Sequence, residues 1–74
     1  MAVKVLDTVG LKSPDPILKI AMSFTDMDKG DILEVWGDCP TFEKDVRYWC
    51  TRTGKKVVSV KEDTPPKKKI EIQI

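Results

Sequence analysis

The chain has 74 residues, 41% apolar and 34% charged, which fits one small soluble domain near the lower size at which a single core holds a chain together. Thirteen basic and twelve acidic side chains leave a net charge of +1, so no global field commits the chain to nucleic acid or to an anionic membrane. Histidine is absent. That excludes Ser-His and Cys-His nucleophile pairs, His-based zinc sites and any unperturbed side chain titrating near neutral pH.

The charge is unevenly spread. Residues 1–25 hold three basic and two acidic side chains, 26–45 two and seven, and 46–74 eight and three, giving +1, −5 and +5. Two cysteines, Cys39 and Cys50, are too few for a disulfide-stapled fold and wrongly spaced for zinc. A reducing compartment is expected. The opening MAVKVLDTVG has no sustained apolar run, and no stretch approaches the ~20 apolar residues of a membrane span. The expectation is a cytoplasmic protein without membrane attachment, metal or cofactor.

In chain order, AVKVLDT near-alternates β-branched residues, with Val3 and Val5 on one face, and predicts a short strand closed by Gly10. Ser13-Pro14 reads as a helix N-cap and first helical residue, since a hydroxyl can accept a free N–H and proline has none to waste. Ile17, Ile20, Ala21 and Phe24 form one apolar stripe at helical period, and Gly30 suits a left-handed stop, so this helix is predicted to end near Asp28. Ile32 to Trp36 is a compact apolar run closed by Gly37-Asp38 and predicts a largely buried strand. Pro40 and Thr41 start a second helix, whose stripe Phe42, Val46, Trp49, Cys50 and Thr53 runs to Gly54. Val57, Val58 and Val60 mark a third strand. After the Pro65-Pro66 corner, Ile70, Ile72 and Ile74 alternate with polar residues as a fourth.

The order βαβαββ predicts a single α/β (α+β) two-layer sandwich over 1–74, with two helices on one face of a mixed four-stranded sheet. Right-handed crossovers put the C-terminal ends of parallel strands, and the helix N-termini, on one edge. The Gly10–Pro16 and Gly37–Thr41 loops are therefore expected there together, and with them any reactive group.

The segment Leu6-Asp7-x-x-Gly10-Leu11-x-Ser13-Pro14-x-Pro16, then Gly30-Asp31, an apolar strand, Asp38-x-Pro40 and Trp49-Cys50-x-x-x-Gly54, resembles the TusA/SirA/YedF sulfur-carrier family. Gly10, Pro14 and Pro16 match its Gly-x-x-Cys-Pro-x-Pro element, and Asp38 supports the match. Ser13 stands where the family has cysteine. The resemblance implies a βαβαββ sandwich and a sulfur-relay role: a persulfide on that cysteine, received from a desulfurase, rhodanese or DsrE-like donor protein and handed to an acceptor protein. A thiol at a helix N-terminus suits this work, because free N–H groups and the positive dipole end stabilise a thiolate or persulfide anion. A serine hydroxyl forms no stable persulfide, so the Ser13 form is expected to be inactive in transfer at that position.

Three readings of Ser13 follow: a relative without the thiol, in which serine merely caps the helix; a Cys-to-Ser exchange in a carrier; or sulfur moved to Cys39. The match on both sides of position 13 favours the exchange. Cys39, between Asp38 and Pro40 on the expected edge, reads first as an unreactive, partly buried thiol and second as an accessory sulfur acceptor or resolving thiol. Its helix-start setting favours a thiolate and Asp38 opposes one. Cys50 lies on the apolar stripe as core. The two are expected roughly 15 Å apart, too far for a disulfide.

Asp26, Asp28 and Asp31 read as solvated loop charge, and Asp7 and Asp38 as turn or cap residues before a catalytic pair. Lys55, Lys56 and Lys67–Lys69 form a basic end that guards an exposed edge. The aromatics are expected mostly in the core, not interleaved with these lysines, which argues against nucleic acid as a partner. Two alternatives to a relay remain: a binding module acting on RNA or a protein, and a regulatory domain that occupies a relay protein's docking site without transferring sulfur.

Overall fold

In the computed structural model, which describes residues 2–74, β1 (Val3–Asp7), α1 (Asp15–Phe24), β2 (Ile32–Gly37), α2 (Phe42–Thr53), β3 (Lys56–Glu62) and β4 (Lys68–Gln73) follow in the anticipated order. β1 pairs in parallel with β2, β2 runs antiparallel to β4, and β4 antiparallel to β3, giving a mixed sheet of order β1-β2-β4-β3. Both helices pack on one face. None among the described residues is long and apolar enough to cross a membrane.

Register decides which side chains enter the core, because neighbours along a strand point to opposite faces. Leu6, Val35, Ile70 and Val60 align across the strands toward the helices, with Leu33, Ile72 and Val57 in the next row. Against them pack Ile20 from α1 and Phe42, Val46 and Cys50 from α2. The opposite row, Asp7, Trp36, Lys69 and Lys61, lies on the uncovered face.

β2 is the largely buried strand expected, with Leu33, Val35 and Gly37 buried and Ile32, Glu34 and Trp36 partly so, since helices cover one face alone. Three local expectations are corrected by this packing. α1 begins two residues after Ser13, with Pro14 as its N-cap and no side-chain cap hydrogen bond. Ser13 and Pro14 instead form the middle of a turn closed by the Asp15 N–H donating to the Lys12 carbonyl, 2.8 Å, and the Leu18 N–H to Pro14 carbonyl bond opens the helix.

α1 also stops at Phe24. The Thr25 hydroxyl donates to the Met22 carbonyl at 2.8 Å, competing with helical donors, and Met27 then packs against the core. Gly30, with φ +95°, serves the turn into β2 and donates to the Ile74 carbonyl at 2.9 Å. Finally, Trp36 does meet lysines: the Lys67 and Lys69 ammonium groups lie 5.0 and 5.7 Å from its ring centroid on the open face. All three C-terminal lysines also pair with carboxylates: Lys67 with Asp63, Lys68 with Glu43 and Lys69 with Glu34.

α2 follows its pattern closely. Thr41 is its N-cap residue, and Gly54 ends it in the left-handed region at φ +73°, where a Cβ would be strained.

Candidate functional site

Parallel pairing brings the C-terminal ends of β1 and β2 to one edge, and backbone groups then lash their loops together. The Thr8 N–H and hydroxyl both donate to the Trp36 carbonyl, each at 2.7 Å, which buries Thr8 completely. Asp7 Oδ1 accepts the Val9 N–H and Asp38 Oδ1 the Gly10 N–H, each at 2.9 Å. The two carboxylates thus act as backbone acceptors for neighbouring amides, the turn role expected of them. Gly10 has φ +90°, and glycine occupies that region without a steric penalty. Gly37 is required for another reason: a Cβ there would stand 2.7 Å from the Phe42 ring, which closes over the end of β2.

This lashing sets the Lys12–Asp15 turn, with Ser13 and Pro14 exposed and Pro16 buried beneath them, directly against the start of α2. There the backbone N–H groups of Thr41 and Ser13 lie close enough to favour an anion on the Cys39 Sγ. The sulfur also lies 3.5 Å from the Thr41 Oγ1. Donation from Thr41, by its hydroxyl to the thiolate form and by its N–H, is the largest cause holding the Cys39 thiol below the usual cysteine range, with the Ser13 N–H next, while burial and the Asp45 carboxylate oppose them. The opposing acid is therefore Asp45, not Asp38, whose carboxylate is turned to Gly10. Cys39 is 8% exposed, a shallow position under the Ser13 turn.

Cys50, in the last turn of α2, differs. It is buried among apolar side chains and desolvation pushes its thiol above the usual range. Both cysteines are free.

The structure brings Gly10, Ser13, Pro14, Pro16, Asp38 and Cys39 to one edge. Two participants were not singled out from the sequence. The Thr41 hydroxyl donates to Asp45 Oδ2 at 2.8 Å while touching Cys39. The available signal was a Thr and an Asp four residues apart in a first helical turn, two positions after a cysteine. Thr8 was also passed over. Among the other acids, Asp31 accepts the Ala2 and Asp28 N–H groups, 3.0 Å each, and these hold its carboxyl below the usual range. Next to Cys39, a shallow depression of about 460 Å³ is lined by Pro40, Glu43, Lys44, Arg47 and Lys68. Glu43 accepts from both Lys68 and Arg47 there, 2.9 and 3.0 Å, so its charge is matched.

Comparison with known proteins adds the chemical context. The family model described as "TusA: Sulfurtransferase TusA" matches residues 4–74. A protein of Aquifex aeolicus (strain VF5) named "Putative sulfur carrier protein" is 28% identical over 60 residues, which cover 81% of this chain and 30% of that protein. The chain thus spans about a third of the length of that relative.

Proposed function

The chain belongs to the TusA sulfurtransferase family, and from that premise we propose that it is a sulfur-relay domain that takes persulfide sulfur from a donor protein and passes it to an acceptor at the Ser13–Cys39 edge. What supports this best is the convergence of Ser13 and Cys39 on the edge where β1 and β2 end, with the Cys39 sulfur 3.5 Å from the Thr41 hydroxyl at the start of α2. Where the family's motif places a sulfur-bearing side chain, this chain supplies a hydroxyl and, immediately behind it, a thiol with lowered pKa.

Ser13 is then a Cys-to-Ser form at the family's carrier position, and Cys39 is the group that accepts sulfur in this chain. Its thiolate attacks the outer sulfur of the donor's persulfide. One S–S bond forms on Cys39, the donor's S–S bond breaks, and the donor cysteine leaves as a thiolate, with no net oxidation. The Ser13 and Thr41 N–H groups stabilise the anion before and after transfer. Donors of desulfurase, rhodanese or DsrE-like type suit the step. The exposed Val9 and Leu18, which flank the turn in sequence, offer apolar surface for docking. A cytoplasmic setting keeps both thiols reduced.

Intact-protein and peptide mass spectrometry after exposure to a persulfide donor tests this on the chain as it stands, on Ser13→Cys and on Cys39→Ser. A gain of one sulfur at Cys39, lost in Cys39→Ser, is expected. Sulfur found solely at an introduced cysteine 13 keeps the relay and removes Cys39 from it. No uptake in any form overturns the relay reading in favour of a binding or regulatory domain.

A further inference from the structure

Resting on that reading of Cys39, one arrangement beside it remains unused: the Thr41 hydroxyl lies between two acceptors and has one proton. It donates to Asp45 Oδ2 at 2.8 Å, so across the 3.5 Å to Cys39 the hydrogen belongs to the thiol, which donates to the Thr41 oxygen. Once Cys39 loses its proton to solvent, that contact has no hydrogen unless the hydroxyl turns away from Asp45 and donates to the sulfur anion.

We propose that Thr41 and Asp45 are positioning residues forming a two-state switch on Cys39: with the hydroxyl on Asp45 the thiol is held protonated, and with the hydroxyl on Cys39 the thiolate is held ready to take sulfur. The chain's folding prepares this locally. Thr41 is the N-cap residue of α2, but its side chain makes no cap hydrogen bond, which leaves the hydroxyl free for the exchange. Asp45, one turn on, is half-buried and engages no cation within salt-bridge distance among the described residues. From the β1–α1 loop the Ser13 N–H also acts on Cys39, whereas its chain neighbour Asp38 is committed to Gly10. Lys12 and Asp15 flank Ser13 on the exposed turn. Asp45 is the charged group that acts on Cys39 through space.

The switch makes a prediction that simple charge repulsion does not. Removing Asp45 acts twice, by deleting a negative charge and by releasing the hydroxyl, and the second effect needs Thr41. The test is the pH profile of Cys39 alkylation by iodoacetamide, followed by peptide mass spectrometry, in the full chain and in Thr41→Val, Thr41→Ser, Asp45→Ala and the Thr41→Val/Asp45→Ala double variant. Circular dichroism checks that each is folded.

Thr41→Val is expected to move the profile to higher pH and to slow reaction at neutral pH about fivefold, the size of one net hydrogen bond, with Thr41→Ser restoring it. Asp45→Ala is expected to move the profile to lower pH, and that gain shrinks to less than half in the double variant. An Asp45→Ala effect of equal size with and without Thr41 overturns the switch, as does a Thr41→Val profile that stays in place. Because alkylation needs no sulfur donor, a coupled profile in a chain that takes up no sulfur retains the switch and rejects the relay. An uncoupled profile in a chain that does take up sulfur has the reverse meaning.

Discussion

Cys39 and Cys50 are both buried, both free and eleven residues apart, one in the loop that leads into α2 and one in its last turn, yet their thiols are pushed in opposite directions. At the start of α2 the sulfur meets unpaired N–H groups from two loops and a hydroxyl. Further along, all helical N–H groups are spent on the helix and the sulfur meets hydrocarbon. Burial by itself therefore says little about a thiol; the donors left over by secondary structure decide whether its anion is tolerated.

The largest expected effect that tests this contrast is in reactivity. Alkylation of Cys39 needs at most local opening of the Ser13 turn, whereas Cys50 needs the core to open. For a domain of this size that costs several kcal/mol. Peptide-resolved labelling at neutral pH is expected to find Cys39 at least ~100-fold faster, and equal rates in strong denaturant. Comparable native rates would mean that the two environments differ less than the structure shows.

A smaller effect comes from cutting the lashing that sets Ser13 over Cys39. Asp38→Ala leaves the Gly10 N–H without its acceptor. It is expected to cost about 1 kcal/mol in denaturant unfolding and to raise the labelling rate of Cys39 without changing that of Cys50. If both thiols respond alike, Asp38 supports the fold as a whole and not this edge.

The smallest expected effect is in the pH dependence of stability, where the two thiols oppose each other. A Cys39 pKa lowered by folding means that the folded state loses this proton first, so its contribution to stability grows as pH rises toward the ordinary cysteine range and is lost on acidification. The raised pKa of Cys50 has the opposite sign: its contribution is present below the ordinary cysteine pKa and is lost as pH rises through that of the folded state. Between about pH 8 and 10, centred on the usual thiol pKa, Cys39→Ser is expected to lose stability with pH more steeply than the parent, and Cys50→Ala less steeply. Parallel curves would contradict the assigned directions. On the acid side the chain shares one behaviour: Asp31 and Glu43, both lowered, give up their contributions as pH falls through the carboxylate range.

What was legible in the chain alone was whatever depends on periodicity and turn chemistry. The α2 stripe, the Gly54 stop, the alternation of β4 and the βαβαββ order are local properties, and each reappears in the structure because core burial rewards the same pattern that the backbone permits. The shared edge for the two loops also followed, from crossover handedness. The start of α1 did not, because Ser13-Pro14 suits a cap and a turn equally well and the lashing through Thr8, Gly10 and Asp38 selects the turn. Nor did the faces of Trp36, since a short apolar run does not say whether one or both sides will be covered. The setting of Cys39 was legible only in part: its helix-start position pointed to a thiolate and its largest donors, from Thr41, are two residues away, whereas the Ser13 N–H acts on it across 26 positions of chain, a contact that leaves no trace in local pattern. Sequence determined which residue types reach the edge, and parallel strand pairing determined which of their atoms meet.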